Sequence, residues 1–234
     1  MFYPLPTKIQ LAASQAKWPL NSAQSVLLVM GLQQLRTEPD WISSELAANM
    51  QRCIQKAQAL DIPILDLDLA NPMDAMQRLG EYLSDRQQLL VIGLINPLAK
   101  QFIAHIHSVS EQICVVNDAV LLANSEHHVQ WIEKLCQQQF HHMNTHSLLR
   151  LWALSAPKDF VLSEKGIIYA VAEQLALDPL ELDLFRDWAE YNLDSVAVVS
   201  LVGLWRANGA DIRYEDVMHS RNLKKLIQLL RHNS

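Results

Sequence analysis

Four short apolar runs constrain the fold more than anything else in the chain: Ser25-Val-Leu-Leu-Val-Met30, Ile62-Pro-Ile-Leu-Asp-Leu67, Gln88-Leu-Leu-Val-Ile-Gly93 and Gln112-Ile-Cys-Val-Val-Asn117. A run that stays apolar without alternating is the pattern of a strand buried on both faces. Between and after them lie segments of helical spacing, at about 39–60, 73–83, 97–107 and 127–139. Parallel strands need crossover connections, so strand, helix, strand, helix predicts an α/β domain with a mostly parallel sheet flanked by helices. Residues 1–22, with Pro4, Pro6 and Pro19, read as an extended arm leading into the first strand.

The alternation stops at Ser155-Ala-Pro-Lys-Asp-Phe160, and no clear strand follows. Helices are expected at about 163–177, from Ser195, at about 214–219 and at about 222–230, which together make a small four-helix bundle. The organisation predicted is a first domain over 1–154, a linker over 155–162 and a second domain over 163–234. Half of the 234 residues are hydrophobic, enough for two packed cores. A formal charge of −6 without a Lys/Arg stripe excludes nucleic acid as a partner. Cys53, Cys114 and Cys136 are odd in number, far apart and set in apolar or amphipathic runs, as reduced core residues of a cytosolic protein would be. The N-terminus shows no leader pattern and no run is long enough to span a bilayer, so a cytoplasmic protein with no membrane partner is expected.

The stretch from Tyr191 to Arg206 carries the strongest functional signal. Asp194 suits a helix N-cap, which puts Ser195 at the first helical position with its hydroxyl at the helix mouth. The helix that follows is apolar nearly all round, through Val196, Val198, Val199, Leu201, Val202, Leu204 and Trp205. Leu193, Asp194, Ser195 and Val196 resemble the attachment site of the thiolation (carrier) domains of nonribosomal peptide synthetases. With Trp205-Arg206 and Asp211-Ile-Arg-Tyr214, the stretch resembles the aryl carrier domains that follow isochorismatase domains in catechol-siderophore synthesis.

That resemblance implies a 4'-phosphopantetheine on Ser195, with Asp194 as the cap beside it. A helix N-terminus favours such an anion. It implies three partners: a phosphopantetheinyl transferase, an aryl-acid adenylating ligase that loads 2,3-dihydroxybenzoate or salicylate, and a condensation domain contacting Val199, Tyr214 and Met218. Trp205 is expected in the core. Glu173, Asp178, Glu181, Asp183, Asp187, Glu190 and Asp194 crowd the approach to the serine, with Arg186 the one base among them. Such a run steers a basic transferase by long-range attraction.

The first 150 residues resemble the isochorismatase-like hydrolases through Val26–Gln33, Ile62-Pro-Ile64, Val91–Ile95, Val116-Asn-Asp-Ala119 and Ser125-Glu-His127. The functional positions implied by that family are not kept. Gly31 stands where its aspartate should be, no lysine lies between Lys56 and Lys100, and Ala99 or Lys100 stands at the elbow of the cysteine branch. A degenerate domain with no catalytic residues is therefore expected, serving as a docking or oligomerisation surface with a homodimer as one form. The alternative is a bifunctional isochorismatase/aryl carrier protein with rearranged catalytic residues, for which Asp66 and Asp68 are the candidates. His142 and His146 have the i, i+4 spacing of zinc ligands, with Cys136 close in sequence. The irregular spacing of these groups, and of His127, His128 and His141, predicts exposed histidines and no metal site.

Overall fold

The computed structural model describes residues 2–7, 9–14, 17–67, 69–175 and 177–232. Contacts divide the chain into two compact units, Met1–Trp152 and Ala153–Ser234.

In the first unit the strands are β1 (Ser25–Met30), β2 (Ile64–Leu67), β3 (Gln88–Leu94), β4 (Gln112–Leu121) and β5 (His141–Met143). The helices are α1 (Leu32–Arg36), α2 (Glu45–Ala59), α3 (Pro72–Leu83), α4 (Pro97–Ile106), α5 (Ser125–Gln137) and α6 (Thr145–Ser155). All strand pairings are parallel, in the order β2-β1-β3-β4-β5. Side chains of β1 alternate between two cores: Val26, Leu28 and Met30 join the cluster that contains residues of α3, α4 and α5, while Leu27 and Val29 join the cluster that contains residues of α1, α2 and α6. Every residue of β1 is buried, which is why its sequence shows no alternation.

The helix expected over 39–60 begins only at Glu45, and the separate short α1 precedes it. Ser44 caps α2 by accepting a bond from the Ala47 amide at 3.1 Å, and this local cap outweighs the apolar spacing that begins at Trp41. The strand β5 and the helix α6 were not expected. In β4 the pairing with β3 slips: Val91 faces Val115, but Gly93 faces Val120. The extra residues on β4 lift Asn117 and Asp118 out of that ladder.

The N-terminal arm is tied to the sheet through His128, His141 and His142. The Tyr3 hydroxyl accepts from the Leu122 amide (2.9 Å) and lies 3.0 Å from Nδ1 of the fully buried His128. His142 lies 2.7 Å through Nε2 from the Ala12 carbonyl, which can only accept; Nε2 therefore donates and Nδ1 accepts from Asn117 Nδ2 at 3.0 Å. His141 Nδ1 meets Ser14 Oγ at 2.8 Å, beneath the edge of Trp18. The expectation of exposed histidines is thus corrected for His128, His141 and His142, whose ring nitrogens serve the arm, while His127 and His146 are exposed. His142 is in β5 and His146 in α6, so they do not share a helix face. Among the described residues no group of three or more His, Cys, Asp or Glu is placed to hold a metal ion. Cys53, Cys114 and Cys136 are buried and unpaired.

The second unit, among its described residues, is built from helices: α7 (Lys158–Val161), α8 (Glu164–Leu175), α9 (Trp188–Tyr191), α10 (Ser195–Ala207), α11 (Tyr214–Ser220) and α12 (Leu223–His232). Helix α8 packs on α7, α10 and α12, and α11 packs on α10 and α12. The segment expected as a linker over 155–162 contains α7. No helix among the described residues is long and apolar enough to cross a membrane.

The buried His128 gives the first unit a pH dependence. Burial pushes its pKa from 6.5 down to about 4, with the Asn117 carbonyl opposing. Below pH 6.5 the unfolded chain binds a proton that the folded chain refuses, so stability present above that pH is lost as pH falls toward 4. The loss at about pH 5 is about 2 kcal/mol from this residue, and His141 and His142, also lowered by burial, add to it in the same sense. Urea unfolding of the first unit at pH 7.5 and about pH 5 should show the drop, and His128→Phe should remove about 2 kcal/mol of it.

Candidate functional site

Ser195 is exposed at the first position of α10. Asp194 is the N-cap in extended conformation, and its Oδ1 accepts from the Ala197 amide at 2.7 Å. That cap takes one of the unpaired first-turn amides and leaves those of Ser195 and Val196 for another acceptor. The helix buries Ala197, Val198, Leu201, Val202 and Trp205. Its other face shows Val196 at 74% and Val199 at 61% exposure.

The segment leading to Ser195 is stitched to the far end of the unit by groups that no local pattern marks. Trp188, at the start of α9, donates Nε1–H to Ser220 Oγ (3.0 Å), and Ser220 donates on to the Val217 carbonyl (2.6 Å). The Trp188 amide bonds the Arg221 carbonyl, and the Lys224 amide bonds the Leu184 carbonyl. Asn192 then turns the chain through φ +53° before the cap. Of the acids before Ser195, Glu181, Asp183, Asp187, Glu190 and Asp194 are exposed while Glu173 and Asp178 are half-buried. Arg186 pairs with Glu190 at 2.9 Å and lies over the Tyr191 ring.

Tyr214 opens α11 and is half-buried, whereas Met218, one turn on, is 42% exposed. Trp205 is fully buried. Helix α11 is capped by Arg213 and Asp216, whose carboxylate accepts from both the Arg213 amide (2.9 Å) and its guanidinium (3.3 Å).

The carboxyl ends of β1 and β3 in the first unit form the switch point of the sheet, where doubly wound folds bind ligands. Gly31 occupies it with φ +61° as the N-cap of α1, and a Cβ there would lie 3.0 Å from Leu94 Cβ. Beside it, a Cβ on Gly93 would run into the Met30 carbonyl. Ala99 is buried in the first turn of α4, its amide held by Asn96 Oδ1 (2.9 Å), and Lys100 is exposed. Asp66 is exposed at the end of β2, and Asp68 lies outside the described residues. Where the resemblance places an acid, the chain has a glycine packed against Leu94.

No family model matches the chain, and no curated protein matches its sequence. The chain is similar in structure to YcaC from Pseudomonas aeruginosa, solved with hexane-2,5-diol and covalent acrylamide. The TM-score is 0.50 at 14% identity, over 69% of this chain and 93% of that one. At that identity the likeness speaks to fold, and it gives the parallel sheet and its flanking helices the isochorismatase-like α/β architecture.

Two substitutions check these geometries. Asp194→Ala should lower the stability of the second unit by about 1 kcal/mol, the value of a lost N-cap, in thermal or urea unfolding. Gly31→Asp should destabilise the first unit by about 1–3 kcal/mol, because a side chain at positive φ must also displace Leu94, and should create no isochorismate cleavage.

Proposed function

We propose that the chain is an aryl carrier protein. Ser195 receives 4'-phosphopantetheine, and the thiol of that arm carries an aryl acid as a thioester from an adenylating ligase to a condensation domain in siderophore assembly. The observation that carries this reading is the exposed hydroxyl at the first turn of α10, capped by Asp194. A transferase needs such a hydroxyl outside the core, and the phosphate it leaves behind lies beside unpaired amides and the positive end of the helix dipole. The reactive sulfur belongs to the prosthetic group; the protein supplies its anchor and its address.

The acid-rich approach supports the same reading. Five exposed carboxylates precede the helix, and a field of one sign raises the encounter rate with a basic transferase. Exposed Val199 and Met218, with half-buried Tyr214, offer an apolar contact for a condensation domain on the packed pair α10 and α11. In this proposal the isochorismatase-like unit is a catalytically inactive scaffold, because its switch point holds Gly31 and Leu94 rather than an acid, and the protein works in the cytoplasm with its ligase.

Incubation with a phosphopantetheinyl transferase and coenzyme A should add about 340 Da to the intact mass, one phosphopantetheine unit. Ser195→Ala should gain nothing. A wild-type chain whose mass stays unchanged with active transferases overturns the carrier reading. Turnover of isochorismate by the purified chain overturns the scaffold reading and establishes a bifunctional enzyme.

A further inference from the structure

A cavity of about 490 Å³ lies in the first unit where the N-terminal arm passes the carboxyl ends of β4 and β5. Its volume falls within the range of small-molecule sites, roughly 300–1,000 Å³. The arm contributes Leu5, Pro6 and Leu11, and the sheet contributes Met143, so much of the wall is aliphatic. The slip in β4 places Asn117 and Asp118 on the same wall, and Glu45 at the start of α2 stands at its rim.

Both charged side chains of this wall, Asp118 and Glu45, are carboxylates, and several of its donors are spent inside the protein. Asn117 gives Nδ2–H to His142, and His142 gives Nε2–H to Ala12. The Thr145 amide and hydroxyl both go to Asp118 Oδ1, at 2.6 and 2.7 Å. The Ser147 amide goes to Asn144, and Thr7 donates its amide and hydroxyl to Gln10. Acceptors remain. Among the described residues no donor meets Asn117 Oδ1, only 7% exposed, or the exposed Glu45 carboxylate, and both Thr145 bonds go to the same oxygen of Asp118. No lysine or arginine is among the described residues of the lining. Desolvation raises the pKa of Asp118, opposed by its bonds from Thr145 and its own amide and by the charge of Arg52.

We propose that this cavity binds a small aliphatic primary ammonium ion, with Asp118 as counter-ion, Asn117 Oδ1 and Glu45 as further acceptors, and the alkyl chain against Leu5, Pro6, Leu11 and Met143. An ammonium offers a positive charge to the two carboxylates and three donors to them and to Asn117 Oδ1. A carboxylate ligand would meet two like charges, and an alcohol supplies a single donor without charge. The inference is independent of the carrier reading, since it uses no residue of the second unit.

The experiment is calorimetric titration of the full chain with n-butylammonium, n-butanol and n-butyrate at one ionic strength and neutral pH. Butylammonium alone should bind, and Asp118→Asn should weaken it by at least about tenfold. Because Asp118→Asn also disturbs the Thr145 bonds, the exposed Glu45→Gln provides a second reading and should weaken binding several-fold with the unfolding curve unchanged. Shifts of the Asn117 and Asp118 amide resonances on addition of the amine should locate it. The proposal fails if butanol binds as well as butylammonium, if no heat is released with any of the three, or if Glu45→Gln and the two amides are indifferent to the amine.

Discussion

Two-sided burial of a parallel sheet is the constraint from which the first unit follows. Strands that run the same way cannot be joined by hairpins, so each connection needs a crossover, and the crossovers cover both faces. The six residues of β1 then have no exposed face on which to keep a polar side chain. Chemistry in such a sheet is confined to strand ends. At the end of β1 the backbone of Met30 approaches Gly93, and Leu94 fills the space that a side chain at position 31 would need. The same sheet opens elsewhere, because the irregular pairing of β4 frees Asn117 and Asp118 from the ladder. Loss of room at one strand end and gain of an acceptor-rich wall at another are two results of how closely neighbouring strands are paired.

What could be read in advance followed the range of the interactions. β1, β2 and β3 were legible within about two residues because burial on both faces leaves a continuous apolar run; β4 ran several residues beyond its apolar run. β5 was not, since His141-His142-Met143 is three residues long, polar in composition and held by β4 and by arm residues more than a hundred positions away. Polarity alone suggested that these histidines face water. Their partners Ser14 and Ala12 make them part of the packing instead.

The serine site divides the same way. Asp194 and the Ala197 amide are three residues apart, so the cap was visible in the sequence. The hold that Trp188 has on Ser220 spans 32 residues, and nothing around either residue announces it. A small helical unit has few interior positions, and this one uses Trp188 and Trp205 for them, one with its indole N–H satisfied by a hydroxyl and the other buried without such a partner. Local rules thus place the hydroxyl of Ser195, while distant ones hold the segment that carries it.

The exposed side of α10 makes the last connection. Val196 and Val199 there, Met218 on α11, and Leu180 (95% exposed) and Phe185 (72% exposed) in the loop before α9 are more apolar surface than a unit of this size needs to leave in water. Burying them inside would remove the contact that the proposed carrier role requires; leaving them bare would favour self-association. Eleven acids against eight bases from residue 163 onward give that region a net negative charge, which opposes self-association while attracting a basic partner. In the proposed carrier role the charge surrounding the serine and the apolar surface behind it act together, one governing approach at long range and the other contact at short range.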